Sequence, residues 1–379
     1  MQKRFVFGVL LVIIGILAGS TAVFAQDALP ALADLPAGEW TEIATGGETS
    51  CAYGDPYRFF VRPAAEPSDK LLIYFAGGGA CWNAENCAPS FAGPDGNPIF
   101  VSQVPEGSSA ALTQGFFNYE NDANPVGDYN AVYVTYCSAD VHSGSNRIDY
   151  ESSAGEKYTL NHVGAINATA ALDWTFENFD SPSNVVVSGC SAGSYGSILH
   201  SARIMQQYAG TPVMQIGDAG VGVVTDTFDG LASWGFYDNL PDIGGLREMD
   251  PTVFRTKDLY KATAAAFPDN TVSQITGYLD TVQIGFFYLM GGGATPEEAG
   301  ANWLLGMRSI MSGLSGSVRN FRGLMFGGGQ HCITPYDEMY SYQVNGQPLV
   351  DWVAGVVNGE RPRTLNCLSC NEPEVAAGS

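Results

Sequence analysis

The chain has 379 residues, and its 39 acidic against 17 basic side chains give a formal net charge of −22. Because a protein with this negative charge is repelled by nucleic acids and by anionic membranes, neither is expected as a partner. A basic pair, a short apolar run and small residues ending at Ala25 predict a secretory signal peptide over residues 1–25. The protein is therefore expected to be secreted, either extracellular or periplasmic, with no membrane span in the mature chain.

Strand-like and helix-like patterns alternate through residues 26–370, which predicts a single α/β domain with a mostly parallel, doubly wound sheet. The first two strands are expected to form an antiparallel hairpin at a sheet edge, and residues 371–379 a disordered tail. Residues 221–268 interrupt the alternation and are predicted to be an insertion over the active site. The predicted strands are 41–44, 57–61, 70–75, 130–135, 184–188, 212–216, 271–276 and 323–326, and the predicted helices are 162–179, 194–208, 280–290, 296–312 and 350–357.

A candidate nucleophile lies in the segment Gly-Cys-Ser-Ala-Gly at residues 189–193, between a β-type run and a helical pattern. A G-x-S-x-G segment in this strand–turn–helix context is typical of α/β-hydrolases, in which the serine takes strained dihedral angles that expose its hydroxyl. The sequence therefore predicts Ser191 as the nucleophile of an α/β-hydrolase-type enzyme.

A serine hydroxyl needs a base, and the base needs an orienting acid. The four histidines are His142, His162, His200 and His331. His331 follows the last strand in a glycine-rich loop and comes after the serine in the chain, as in α/β-hydrolases, so it is predicted to be the base. Asp218 and Asp280 both end strands between the serine and this histidine. Asp280 is favoured because its strand precedes the strand that leads to the base, whereas Asp218 would then cap a helix or brace a loop.

Acyl transfer also needs hydrogen-bond donors for the developing oxyanion. The backbone N–H of Ala192, directly after the nucleophile, is one expected donor. The glycine run at residues 77–79, at the end of an earlier strand, is in the right place for the other. Neither a metal nor a cofactor is expected to take part.

Several motifs occur in order along the chain: AGGGACWN at 76–83, ENC at 85–87, YCSADVHSG at 136–144, GCSAG at 189–193 and the Asp-x-x-Gln that begins at Asp280. With these motifs the chain resembles the pectin acetylesterase/Notum family of carboxylesterases. The resemblance implies an α/β-hydrolase fold, the triad Ser191, Asp280 and His331, and an oxyanion hole from Gly78, Gly79 and Ala192. Trp82 and His142, in the matching loops, are expected to contact substrate.

All eight cysteines lie beyond the predicted signal peptide, which favours disulfides, although the close pair Cys367 and Cys370 also has a zinc-like spacing. The resemblance implies the pairs Cys51–Cys137 and Cys81–Cys87. It leaves Cys190 as a buried free thiol beside the nucleophile and the pairing of Cys332, Cys367 and Cys370 open.

The expected function is hydrolysis of O-acyl esters by an exported serine carboxylesterase. Plant members of the family are associated with removing acetyl groups from pectin, which favours an acetylated, pectin-like polysaccharide as substrate. The Notum branch is associated with removing a fatty acyl group from a secreted signalling protein, so a long-chain acyl esterase is the alternative. Where the family usually has tryptophan near the glycine run, this chain has Gly79 and Ala80, which leaves acyl size open. A non-catalytic carbohydrate-binding protein with the same fold is the third possibility.

Overall fold

The computed structural model describes residues 28–94 and 96–376, so the predicted signal peptide lies outside the described residues. Within those ranges, no helix combines enough length and apolar character to cross a bilayer. The strands are β1 Thr41–Ala44, β2 Arg58–Arg62, β3 Lys70–Phe75, β4 Asn130–Val134, β5 Asn146–Glu151, β6 Lys157–His162, β7 Asn184–Cys190, β8 Val213–Asp218, β9 Thr271–Gly277, β10 Phe321–Phe326, β11 Tyr342–Val344, β12 Gln347–Pro348, β13 Leu365–Asn366 and β14 Glu374–Val375. The helices are α1 Gly164–Asn178, α2 Ala192–Gln207, α3 Gly230–Ser233, α4 Thr256–Ala266, α5 Thr281–Leu289, α6 Pro296–Ser317, α7 Glu338–Ser341 and α8 Leu349–Val357.

Nine strands form the central sheet, in the order β1-β2-β4-β3-β7-β8-β9-β10-β13. The first two pairings, β1 with β2 and β2 with β4, are antiparallel, and every later pairing is parallel. The predicted edge hairpin and the mostly parallel α/β sheet are both confirmed. Because the parallel strands point the same way, the loops that follow β3, β7, β9 and β10 all leave the sheet at one edge.

Both faces of the sheet are covered, which explains why β3, β4 and β7 are largely apolar. The polar side chains of β8 and β9 are buried and hydrogen-bonded, as between Gln215 and Ser273. Side chains alternate along β3: Leu71, Ile73 and Phe75 pack on one face, and Leu72 and Tyr74 on the other. Helices α1, α2, α4 and α6 pack on the first face, and α8 packs on the second. The core is therefore a three-layer arrangement that leaves only the sheet's ends for a site.

Two local expectations differ from the structure. The antiparallel hairpin of β5 and β6 takes residues 146–162, so helix α1 begins at Gly164 rather than at His162. Strand β5 alternates between half-buried and exposed positions, and β6 begins the same way before Leu160 and His162 become buried. Both strands carry many charged and polar residues, which hides their strand character. The tail, expected to be disordered from residue 371, instead forms β14 as far as Val375, because backbone hydrogen bonds to β11 order it.

Candidate active site

Ser191 occupies a strained turn between β7 and α2. Its dihedral angles are φ 56° and ψ −121°, in a region that non-glycine residues rarely adopt. A Cβ on Gly193 would lie 1.9 Å from the carbonyl oxygen of Phe75, and one on Gly189 would lie 2.2 Å from the carbonyl oxygen of Gly193. Only glycine fits at either position, so the two glycines allow the tight turn that presents the serine at the sheet edge.

Asp280 and His331 form a hydrogen-bonded pair. The Asp280 side chain is fully buried, and both of its oxygens lie 2.9 Å from His331 Nδ1. The carboxylate is held in place as the N-cap of α5, where it accepts hydrogen bonds from the backbone N–H groups of Val282 and Gln283. With the carboxylate at Nδ1, the proton belongs on that nitrogen and Nε2 is left as the acceptor that a general base needs.

Gln283 fixes the same carboxylate from its other side. Its side-chain amide donates to Asp280 Oδ2 at 2.9 Å, and its carbonyl accepts from the backbone N–H of Val221 at 3.1 Å. Gln283 therefore connects the acid to the start of the 221–268 segment. In the sequence, Gln283 is only the last residue of the Asp-x-x-Gln motif. Its hydrogen bond to Asp280 was not predicted, because no local pattern indicates the direction in which a helical side chain points.

Ser191 and His331 both line one cavity with a volume of about 110 Å³. Its walls are mainly aromatic and aliphatic, and they come from the 221–268 segment, from α5 and from α6. The predicted position of that segment over the site agrees with this lining. The apolar and aromatic lining residues are Gly79, Ala80, Trp82, Val141, Ala192, Tyr195, Ala219, Val223, Val224, Phe228, Leu231, Trp234, Phe254, Val282, Phe286, Phe287, Met290 and Trp303.

The glycine loop that follows β3 lies directly against the serine. A Cβ on Gly77 would be 3.2 Å from the Cβ of Ser191. Gly79 has a φ of +72° and touches the backbone of residue 99, while the Tyr136 hydroxyl donates to its carbonyl at 2.9 Å. Ala192 is the first residue of α2, where backbone N–H groups have no partner within the helix and the helix dipole favours negative charge. The glycine loop and the first turn of α2 therefore both lie next to Ser191, where the sequence predicts the oxyanion hole.

Asp218, the alternative acid, serves a different purpose in the structure. Its fully buried Oδ2 accepts hydrogen bonds from the backbone N–H groups of Ile333 and Thr334 and from the Thr334 hydroxyl, all within 2.8 Å. Burial raises the pKa of this carboxyl above its usual value. Asp218 therefore braces the loop that follows His331, while Asp280 contacts the imidazole itself.

His142 does not lie where a substrate-contacting residue would. The side chain is 1% exposed, its Nε2 lies 2.8 Å from the carbonyl oxygen of Ala76, and its ring packs on Phe75. Burial lowers the pKa of His142 to about 3. The expected substrate contact through His142 is therefore wrong, because α2 covers the loop that carries it. Trp82, in contrast, lines the cavity.

The other two histidines are equally enclosed. Burial lowers the pKa of His162 and of His200 to about 4. Of the four histidines in the chain, His331 alone has a ring at the cavity.

Four disulfides join the eight cysteines. Two of them, Cys51–Cys137 and Cys81–Cys87, are the pairs that the resemblance implies. The others are Cys190–Cys332 and Cys367–Cys370, so the expected free thiol at Cys190 is wrong. The chain brings Cys332 beside the end of β7, where its Cα lies 5.7 Å from that of Cys190. The two clusters of metal-ligating types among the described residues consist of such paired cysteines and one histidine each, and neither offers a thiolate.

A parallel sheet with a serine in a strained strand–helix turn and an acid–histidine pair at the same edge is the arrangement of an α/β-hydrolase. The sequence model of the pectinacetylesterase family matches residues 41–284. The chain therefore belongs to this family of carboxylesterases.

Similar proteins agree with this assignment. The chain is 26% identical over 171 residues to the human palmitoleoyl-protein carboxylesterase NOTUM, and 29% identical over 160 residues to that of Schmidtea mediterranea. These alignments cover 44% and 41% of this chain but only 32% and 28% of the two relatives. The crystal structure of the Wnt deacylase Notum from Drosophila has the same fold, with a TM-score of 0.63 and 17% identity over 86% of this chain and 96% of that one.

The two buried carboxylates can be told apart by Asp280→Asn and Asp218→Asn. We expect Asp280→Asn to lower kcat for an activated ester by about 10³- to 10⁴-fold, because an amide facing Nδ1 favours the wrong tautomer of His331. Asp218→Asn keeps an oxygen that can accept from residues 333 and 334, so kcat should fall by less than about fivefold. Circular dichroism must show both variants folded. A larger loss in Asp218→Asn than in Asp280→Asn would contradict these assignments.

Proposed function

We propose that this protein is an exported serine carboxylesterase in which Ser191, His331 and Asp280 hydrolyse an O-acyl ester. The observation that carries the proposal is the Asp280–His331 pair at a cavity that Ser191 also lines. Four disulfides support an oxidising, extracytoplasmic location.

In the proposed mechanism, Ser191 Oγ attacks the ester carbonyl while His331 Nε2 takes its proton. The backbone N–H groups of Ala192 and of the loop at Gly78 and Gly79 stabilise the oxyanion. The tetrahedral intermediate then expels the alcohol, which receives the proton from the imidazolium. Water, deprotonated by the same imidazole, hydrolyses the acyl-enzyme. Asp280 keeps the ring oriented and stabilises its charged form throughout.

Replacement of the nucleophile tests the catalytic proposal. We expect Ser191→Ala to lower kcat by roughly 10⁴- to 10⁶-fold and to abolish covalent labelling by a fluorophosphonate. Ser188→Ala is the matched control, since Ser188 lies on the same strand and its hydroxyl donates to the carbonyl of Ile216. This control should be labelled as fast as the wild type. Folded wild-type protein that hydrolyses no ester and takes no label would favour the non-catalytic carbohydrate-binding role.

The size of the cavity supports the proposal that the acyl group of the substrate is longer than acetyl. Its volume of about 110 Å³ is several times what one water molecule needs, and a methyl group is of comparable size to water. Each methylene buried on such walls contributes about 0.8 kcal/mol. The NOTUM relatives, whose names give a palmitoleoyl-protein ester as substrate, agree with this preference, whereas the name of the matching family favours acetyl.

A series of p-nitrophenyl esters separates the two acyl groups. We expect kcat/KM to rise about tenfold from acetate to butyrate, because two further methylenes enter the cavity. Leu231→Trp fills the cavity and should remove this gain while acetate hydrolysis persists. Leu305→Trp is the matched control, since Leu305 is 69% exposed and lies outside the cavity lining. A preference for acetate in the wild type would instead support deacetylation.

A second, more open cleft supports a proposal for the alcohol part of the substrate. This cleft, of about 820 Å³, meets the cavity at Ser191 and His331 and is bordered by Phe100, Tyr133 and Tyr336. Tyr133 stacks between Phe60 and Tyr74, but the exposed ring of Tyr336 suits a sugar ring, which supports a carbohydrate as the alcohol component. The described residues that line it include no Lys or Arg. It thus offers no counter-charge for a polyuronate, and a neutral or esterified glycan fits better than a free pectic acid.

A further inference from the structure

The disulfide Cys190–Cys332 joins the residue before the proposed nucleophile to the residue after the proposed base. Cys190 directly precedes Ser191, and Cys332 directly follows His331. The two cysteines are 142 residues apart in the chain. A single covalent bond therefore connects the two segments whose side chains must exchange a proton.

The disulfide also packs against the reacting groups. A ring nitrogen of His331 and the two sulfur atoms all lie within 4.8 Å of one another. On its other side, Cys190 Sγ lies 3.3 Å from the position that a Cβ on Gly77 would take. The sulfur pair thus lies close both to the imidazole and to the loop proposed to hold the oxyanion.

The strand order explains why such a bond matters. Ser191 follows β7 and His331 follows β10, with β8 and β9 between them. Neighbouring strands lie about 4.8 Å apart, so the loop after β10 must cross roughly 14 Å to reach the serine. Asp280, which contacts the imidazole, follows β9. Asp218 ties the loop to β8, and the Thr334 hydroxyl lies 3.1 Å from that of Tyr74 on β3. The disulfide ties the loop directly to the end of β7, which carries the proposed nucleophile.

The backbone at Cys332 is itself unusual. Its φ is 60°, in the left-handed region that favours glycine. A conformation of this kind persists where surrounding contacts hold it. Here those contacts are the disulfide on Cys332 and the Asp218 carboxylate, which binds the next two backbone N–H groups.

We propose that Cys190 and Cys332 are positioning residues, whose disulfide sets the distance between Ser191 Oγ and His331 Nε2. The inference rests on the proposed esterase function and adds a determinant of the chemical step. Neither cysteine lines the cavity proposed for the acyl group, and Cys190 alone of the two borders the more open cleft. The bond is therefore proposed to govern the rate of proton transfer rather than the affinity for the acyl group.

The test is Cys190→Ala with Cys332→Ala, assayed on the best p-nitrophenyl ester. We expect kcat to fall about 10- to 100-fold, since a misplacement of about 1 Å costs this much, while KM changes by less than about threefold. Each single substitution should lower kcat as much as the double one, because the bond acts as a unit. The matched control is Cys51→Ala with Cys137→Ala, which removes a buried disulfide outside the cavity lining and should keep kcat within about threefold when assayed well below its Tm.

The outcomes separate this proposal from the proposed function. A wild-type protein without esterase activity would overturn the proposed esterase function itself. An active wild type with an unchanged kcat in the folded double variant would overturn only the role of the disulfide, as would a rise in KM alone or a loss equal to that of the control.

A second measurement applies where the double variant does not fold. Folded wild type is treated with a phosphine reductant and EDTA, which keeps freed thiolates and the imidazole from binding a metal. Mass spectrometry of alkylated peptides reports reduction of the Cys190–Cys332 bond, and circular dichroism reports folding. A matching loss of kcat that reoxidation reverses supports the proposal. Full activity with both thiols alkylated overturns it.

Discussion

The close contact between the start of α2 and the end of β3 is the constraint on which the rest of the site depends. No side chain fits at residue 193, because its Cβ would lie 1.9 Å from the carbonyl oxygen of Phe75. This approach forces Ser191 into its positive φ and brings the glycine loop after β3 beside the hydroxyl. The strained, half-buried serine and the glycine loop beside it are thus two results of one packing contact.

The fold could be predicted largely from the sequence because β3, β4 and β7 are nearly continuous apolar runs, each followed by a distinctive loop. β3 and β7 are buried on both faces, and nothing in their composition competes with that role. The hairpin of β5 and β6 escaped prediction because its half-exposed, charged residues lack an apolar pattern. Hydrophobic periodicity in a sequence reflects which side chains are buried, so an element that buries few side chains is hard to predict from it.

Those candidate site residues could be predicted whose position follows from the order of strands and loops along the chain. Ser191 and His331 follow their strands directly, whereas a choice between Asp218 and Asp280 depends on which strand lies next to β10. The burial of His142 was beyond sequence reasoning, because it depends on Gly196 of α2, where a Cβ would lie 2.9 Å from that ring. The pairing of Cys190 with Cys332 depends on how 142 residues of chain return to one edge of the sheet.

Burial strengthens the hydrogen bonds of the Asp280–His331 pair, but it also removes the water that would solvate the carboxylate. Asp280 has no solvent contact, so its charge is stabilised only by the hydrogen bonds of Gln283, of the first turn of α5 and of His331. In an interior shielded from water these bonds are stronger than in water.

One short helix links this pair to the cavity wall. Helix α5 follows directly on Asp280 and carries Phe286, which lines the cavity proposed to receive the acyl group. In the proposed mechanism, acyl recognition and orientation of the base are therefore coupled through α5, and a change in its position would alter both together.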